Sequence, residues 1–456
     1  MINMRKDIEE QKNHNWSLED YEPYPEFHAL KKSLSWFQDQ KVGLLIHWGL
    51  YAQAGIVESW QLSAQDQWAR QPTAFRSNMA QLQRDYWKLA NQFSPTHYDP
   101  YHWAELFRQA GITYAIFTTK HHDGFNMYDT NASNYKITNP HYPYHNDRYE
   151  DVFGAFTKAM RQANIAVGAY YSKADWYSEN YWPSPKTHYG RTVGYDIREE
   201  PEKWTRYVHF VHQQLQEITT QYGPLAMLWL DAGWVKDPQE PLHLAELMDQ
   251  VRSRQPQMLV VDRTVGGRFE NYVTPERQIP TLATRPTIPW ESNIPLARNW
   301  GYIPHDQYKS TKQIISDLLK IVTLGGNVVF GVGPTAQGLI PTPAKKALHD
   351  LGGWLSLNGD GIYGTRACSP EIIQATEKLG CAITEKADAY YLFPMKERQD
   401  RIDLHQLPIA PIKKVVSLGQ SNISPGIVDG CIHLPGSFSH ALFPGMKLIK
   451  AEVKSS

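Results

Sequence analysis

An α/β fold, a (β/α)8-like TIM barrel followed by a C-terminal antiparallel β-sandwich, is the architecture that this sequence predicts. Three observations predict it. Several continuously apolar runs, such as Leu225–Leu230, end on polar side chains, as expected of parallel strands buried on both faces. Helical stripes alternate with those runs from about residue 25 to 334, the pattern of a parallel α/β sheet. Past Asp360 the texture changes to short alternating stretches, Ala389–Phe393, Lys413–Leu418 and Met446–Val453, between Gly, Pro and Asn turns, which indicates an antiparallel sandwich. The expected units are residues 1–360 and 361–456.

In chain order, Met1–Tyr24 is polar and reads as an arm or first helix. Pro25–Gln40 places Phe27, Leu30, Leu34 and Phe37 on one helical face. Lys41–Tyr51 is a buried strand ending in His47 and Trp48, followed by a long insertion, Ala52–Pro95, that includes Glu58 and Trp60 and is long enough to cover a site. Asp99 and Pro100 start a helix that leads to the strand Ile112–Thr119 and then to Lys120, His121, His122, Asp123 and Gly124. A second unit runs from the helix Asp147–Asn164 to the strand Ile165–Tyr171. A third runs from the stripe Trp204–Ile218 to LAMLWLDAGW, which stops on Asp231. Pro238–Gln255 is a helix, Met258–Asp262 a strand ending at Arg263, and Gly266–Glu291 a loop rich in acid and proline. Thr311–Leu324 and Asn327–Val332 complete the alternation. Fewer than eight clean strand and helix pairs are visible, so the barrel is expected to be irregular.

Composition narrows the ligand. The 456 residues carry 46 Lys+Arg against 47 Asp+Glu, a net charge of −1, which gives no electrostatic footprint for nucleic acid or a membrane surface. No run approaches the length of a membrane span and no signal-peptide core is present near Met1, so a cytoplasmic protein is expected. Cys368, Cys381 and Cys431 lack metal-type spacing, and no metal or other cofactor is expected. The 15 Trp and 26 Tyr, many beside His, Asp or Glu, offer flat apolar faces with polar edges that suit a sugar ring.

Chemistry gathers at strand C-termini, the catalytic face of such barrels. Asp231 there serves either as a turn cap or as a catalytic carboxylate. With His, Tyr, Trp and Arg around it, glycoside hydrolysis is the reaction that fits, and this needs a second carboxylate. Glu270, Glu276 and Glu291 are the candidates, and spacing alone does not choose among them.

The ordered set IHWG (Ile46–Gly49), TTKHHDGF (Thr118–Phe125), AYYS (Ala169–Ser172), LWLD (Leu228–Asp231), TPERQIP (Thr274–Pro280), PWE (Pro289–Glu291), NWGY (Asn299–Tyr302) and GGN (Gly325–Asn327) resembles glycoside hydrolase family 29, the retaining α-L-fucosidases. The resemblance spans Pro25–Arg366. It implies Asp231 as nucleophile and Glu276 as acid/base, with Glu270 and Glu291 as alternatives. It implies His47, His121 and His122 as ligands of the fucose hydroxyls, Tyr171, Trp229 and Trp300 as pocket walls, and Arg263 near the nucleophile. Glu58 and Trp60 match the family's adjacent Glu-Trp pair, with Ser59 intervening here. The implied substrate is a fucosylated oligosaccharide or glycoconjugate. Two other readings compete: a metal-dependent hydrolase ligated by His47, His121, His122 and Asp231, and a fucose-binding protein without turnover. Linkage, aglycone and oligomeric state have no code in the sequence.

Overall fold

The apolar runs become strands because each is flanked by helices that cover its outer face while its inner face meets the other strands. In the computed structural model they are β1 (Val42–Ile46), β2 (Tyr114–Lys120), β3 (Ala166–Ser172), β4 (Met227–Asp231), β5 (Leu259–Asp262), β6 (Glu291–Pro295) and β7 (Asn327–Val332). Residues 25–71, 74–186, 189–263, 265–396, 399–419, 425–434 and 441–451 are described; the expected N-terminal arm, residues 1–24, lies outside them. The strands form one parallel sheet in the order β5–β4–β3–β2–β1–β7–β6.

The expected irregularity has a definite location. Between the edges β5 and β6 the chain fills the eighth position without forming a regular strand. Glu270 bridges Val261, Val273 bridges Trp290 and Glu276 bridges Asn293. Asn271 N donates to Val260 O on one side, while Glu291 N and Asn293 N donate to Val273 O and Pro275 O on the other. β6, Glu-Ser-Asn-Ile-Pro, is fully buried, although its polar residues and flanking prolines make it read as loop.

Two apolar clusters divide at the sheet. The inner one contains Leu45, Ile116, Tyr170, Met227, Trp229 and Val261. It is closed at the strands' N-terminal end by Leu34 and Phe37 of the helix Lys31–Gln40, whose Phe37 O accepts Asn327 Nδ2 at 2.6 Å. The outer cluster lies between strands and helices. The helices start where their caps require. Asp99 Oδ1 accepts Tyr101 N and His102 N ahead of Pro100–Gln109, and Asp151 and Ser310 cap Val152–Gln162 and Thr311–Thr323. The expected helix over 238–255 is shorter, Leu244–Arg254. Its first residues are a loop because the buried Glu240 carboxylate accepts Val193 N and Tyr181 OH.

Beyond the barrel, β8 (Cys381–Lys386), β9 (Ala389–Pro394), β11 (Ile412–Ser417) and β14 (Met446–Lys450) form an antiparallel sheet ordered β11–β14–β9–β8. A second sheet orders β10 (Arg401–Asp403), β13 (Cys431–His433) and β12 (Gly426–Val428). Ile402 and Ile432 of this sheet share an apolar cluster with Tyr391, Val415 and Leu448 of the first. The helix Pro370–Leu379 precedes them, unexpected from the alternating texture. Among the described residues no helix is long and apolar enough to cross a membrane, and the three cysteines are unpaired.

Candidate active site

Strand register decides which side chains face the barrel interior. β3 and β4 pair Tyr170 with Trp229 and Ser172 with Asp231, and β4 and β5 pair Trp229 with Val261. Since side chains alternate between faces, Trp229 and Tyr170 form one inward layer, and Asp231, Ser172 and Arg263 the next layer toward the C-terminal mouth. Trp229 and Tyr170 stack with ring centroids 5.3 Å apart. The Arg263 guanidinium lies 4.5 Å above the Trp229 ring, and the indole Nε1 donates downward to Glu291 Oε1 at 3.1 Å.

On this floor one guanidinium holds two carboxylates. Arg263 Nη1 donates to Asp231 Oδ1 at 2.9 Å and Nη2 to Glu276 Oε2 at 2.5 Å. Tyr170 OH donates to Asp231 Oδ2 at 2.5 Å, and Trp300 Nε1 to Glu276 Oε1 at 3.1 Å. Burial pushes the Asp231 carboxyl up, but Arg263 and the Tyr170 hydroxyl outweigh it, so its pKa lies below the ordinary value. The guanidinium itself, although buried, is held more firmly protonated by the two carboxylates. The side chains of Asp231 and Glu276 keep 16% and 17% of their surface accessible, so both remain open to a ligand.

Histidines form the wall. His47 stacks on Trp300 with centroids 5.4 Å apart, and burial lowers its pKa to about 4. Burial, then the neighbouring His122, lowers His121; burial, then Arg191, lowers His122. Both lie well below the ordinary imidazole value. All three are neutral at neutral pH, each with one N–H and one lone pair. His47 Nδ1 and His122 Nε2 are buried and have no hydrogen-bond partner among the described residues, an arrangement that favours a ligand bringing hydroxyls.

The Glu-Ser-Trp segment closes the wall. Glu58, at φ 33°, accepts Gly301 N at 2.6 Å, next to Trp300, and burial raises its pKa to about 7. Ser59 Oγ meets His121 Nδ1 at 2.5 Å. Trp60 lies 4.8 Å from the His122 ring and carries the Arg191 guanidinium 4.6 Å over its own. The site therefore offers paired carboxylates, neutral hydrogen-bonding rings and indole faces, which suits a neutral polyol with an apolar patch. Among the described residues no three His, Cys, Asp or Glu side chains are gathered as a metal site would need.

The family model for α-L-fucosidase matches residues 8–360. The chain belongs to the α-L-fucosidases, glycoside hydrolase family 29. It is a glycoside hydrolase that hydrolyses fucosyl linkages. Human tissue α-L-fucosidase is 26% identical over 372 residues, covering 77% of this chain and 72% of that protein. The structure of α-L-fucosidase isoenzyme 1 from Paenibacillus thiaminolyticus is 28% identical, with a TM-score of 0.75 and coverage of 93% of this chain and 100% of that one. The Thermotoga maritima α-fucosidase in complex with a mechanism-based inhibitor is 23% identical with a TM-score of 0.73, covering 96% and 100%, and shows the shared fold. These α-L-fucosidases combine a TIM-like barrel with a β-sandwich, as expected here.

Within this fucosidase frame some of the predicted site residues converge and others do not. Asp231, Glu276, Arg263, Trp229, Trp300, His47, His121, His122, Glu58 and Trp60 join in one contiguous cluster through the contacts described above. Tyr171 does not. Its register partner is Leu230, so it points out of the barrel, donating to Gln214 Oε1 at 2.8 Å and accepting from Lys120 Nζ at 3.0 Å. Tyr170 takes the inward place. Glu291 is fully buried at the start of β6, beneath Trp229 and hydrogen-bonded to Tyr114 OH; burial raises its pKa to about 7, but the indole separates it from the mouth. Glu270 accepts Gly266 N inside its own loop. Residues absent from the sequence-based set are Tyr170, Ser59, Ser172 and Trp234, whose ring lies 5.0 Å from His122. Counting in twos from Asp231 and Trp229 across the β3 register would have found the first and third.

Proposed function

We propose that this chain is a retaining exo-α-L-fucosidase, releasing terminal α-L-fucosyl residues from oligosaccharides or glycoconjugates by double displacement. Asp231 is the nucleophile and Glu276 the general acid/base. The supporting observation is the single guanidinium of Arg263 bridging both carboxylates. That span favours the short separation of retaining enzymes, about 5–5.5 Å, over the about 6.5–9.5 Å of inverting ones.

In the first step an Asp231 oxygen attacks the anomeric carbon while Glu276 protonates the departing glycosidic oxygen, giving a β-fucosyl ester. In the second, Glu276 takes a proton from water, which attacks the same carbon and frees Asp231. Arg263 and Tyr170 keep Asp231 ionised and fixed in direction. Trp229 and Trp300 cover the sugar methyl, at about 0.8 kcal/mol per buried carbon. The neutral histidines select hydroxyls, since a sugar leaving one of their buried nitrogens unpaired forfeits about 1–3 kcal/mol. Residues 1–360 form the catalytic unit in this reading, and 361–456 the accompanying β-sandwich.

Proton NMR of the first-formed sugar tests the stereochemistry. α-L-Fucose appearing before mutarotation is expected, and β-L-fucose appearing first overturns the reading. Glu276→Ala tests the acid. Loss of an acid catalyst costs about 10²–10⁴-fold where the leaving oxygen needs the proton. Turnover of a fucosylated oligosaccharide should fall by that factor, while release of nitrophenol, a good leaving group, falls far less once azide replaces the base-activated water. Equal losses on both substrates would remove Glu276 from this role.

A further inference from the structure

Ser172, inward on β3 and paired in register with Asp231, ends the motif AYYS but has none of the roles that the resemblance implies. Its hydroxyl has two close partners. Ser172 Oγ donates to Ala174 O at 2.7 Å and lies 2.6 Å from His122 Nδ1. A carbonyl oxygen has no hydrogen to give, so the serine's single hydrogen belongs to that contact, and the second contact needs its hydrogen on Nδ1. His122 carries no second proton. It is buried among Trp60, Trp176 and Trp234, and burial together with Arg191 keeps the ring neutral. Nε2 is therefore a bare lone pair. That atom is buried, has no hydrogen-bond partner among the described residues, and lies 3.9 Å from Asp231 Oδ2.

We propose that Ser172 is a positioning residue that locks His122 in the Nδ1–H tautomer, so that Nε2 accepts a hydrogen from a sugar hydroxyl and cannot donate one to Asp231. The inference rests on the reading of Asp231 as nucleophile. In the opposite tautomer an Nε2–H would point toward Oδ2, which already accepts Tyr170 OH, and would compete with the substrate for the carboxylate. With the lock in place Nε2 is an acceptor beside a carboxylate oxygen 3.9 Å away, and a group that pairs with it must bring a hydrogen. A hydroxyl satisfies this; a fluorine or an ether oxygen at the same place does not. The enclosing indoles keep the ring from rotating out of the arrangement. Ser172 thus acts on the reaction through His122, without touching the sugar.

The test is nitrogen-15 NMR of the full chain labelled at histidine, with the His122 signals identified by their loss in His122→Gln. The wild type is expected to show a protonated Nδ1 and an unprotonated Nε2. Adding L-fucose should move the Nε2 signal upfield while it stays unprotonated. Ser172→Ala is expected to move the proton to Nε2 and to lower kcat/KM on nitrophenyl α-L-fucoside about ten- to a hundredfold. Ser172→Thr, which keeps the hydroxyl, should restore both. A wild-type spectrum with the proton on Nε2 overturns the proposal whether or not the variants fold. So does a Ser172→Ala enzyme with an unchanged tautomer, or one with a changed tautomer and full activity. The spectrum is read without turnover, so failure of the Asp231 assignment, read separately by azide rescue, leaves it as it is.

Discussion

Asp231→Ala is expected to lower kcat on nitrophenyl α-L-fucoside by about four to six orders of magnitude, the scale seen when a catalytic nucleophile is removed, and azide is expected to restore turnover with a β-L-fucosyl azide product. The expectation follows from where the methyl leaves space. Asp231 stands at the end of a strand whose preceding inward residue, Trp229, lies beneath Arg263, and in the proposed reaction alanine opens a cavity facing the anomeric carbon. Arg263 and Tyr170 OH, which held the carboxylate oxygens, are left facing that cavity as donors and a cation. A small anion fits them both in charge and in hydrogen bonding. Attack by azide from that side inverts the anomeric centre once, hence the β product. Near-normal activity in the variant would reduce Asp231 to a turn residue. A variant that azide does not rescue, or one that yields the α-azide, would place the nucleophile elsewhere.

Arg263→Met tests the bridge itself. The variant keeps an apolar stem over Trp229 but leaves Asp231 and Glu276 facing each other without a cation between them. Breaking a buried ion pair by removing one partner costs about 3–5 kcal/mol, and kcat/KM should fall at least about a hundredfold because neither carboxylate keeps its orientation. The pH dependence should shift in a readable way. In the wild type the Asp231 pKa is depressed, so its contribution to stability is present above the ordinary carboxylate pKa and is lost as pH falls through the lowered value. Without Arg263, burial is opposed only by the Tyr170 hydroxyl, His121 and the Ala232 N–H, and the pKa rises. The ionised carboxylate then contributes less stability, and the acid limb of kcat/KM moves to higher pH. Thermal unfolding and kcat/KM followed across the acid range measure both. An acid limb that stays where it is would mean that Arg263 does not set the charge on Asp231.

Much of this architecture is visible in residue order, because the strands are apolar from end to end and the helices carry their caps. Asp99-Pro100 marks a start that the structure uses, whereas the helix expected from Asp147 begins at Val152, behind the cap Asp151. The run through Trp229 to Asp231 gives the floor and one carboxylate at once. Face assignment is where residue order falls short. In Tyr170-Tyr171 both rings are aromatic, both are buried, and only the pairing with Trp229 and Leu230 tells inside from outside. β6 escapes for another reason. Glu291 and Asn293 are polar but wholly buried, and burial of such groups depends on partners from distant segments, Tyr114 and Trp229 for Glu291, that local sequence does not contain. The helix Thr342–Asn358 is masked by Gly352 and Gly353. The first is required because a Cβ there would come within 2.1 Å of Gln109 O, while nothing lies within 4 Å of one at the second.

The segment that stands in for an eighth strand frees one half of the chemistry from the other. Asp231 is fixed by the lattice of β3, β4 and β5, where a one-residue insertion would rotate every side chain to the wrong face. Glu276 hangs on isolated bridges to β6 and is aimed by side chains, Arg263 and Trp300, more than by regular pairing. The stretch from β5 to β6 can therefore lengthen or shorten while the carboxylate still reaches the same guanidinium. The number of residues separating the two carboxylates along the chain is an adjustable parameter in this architecture, whereas their separation in space, set by Arg263, is not.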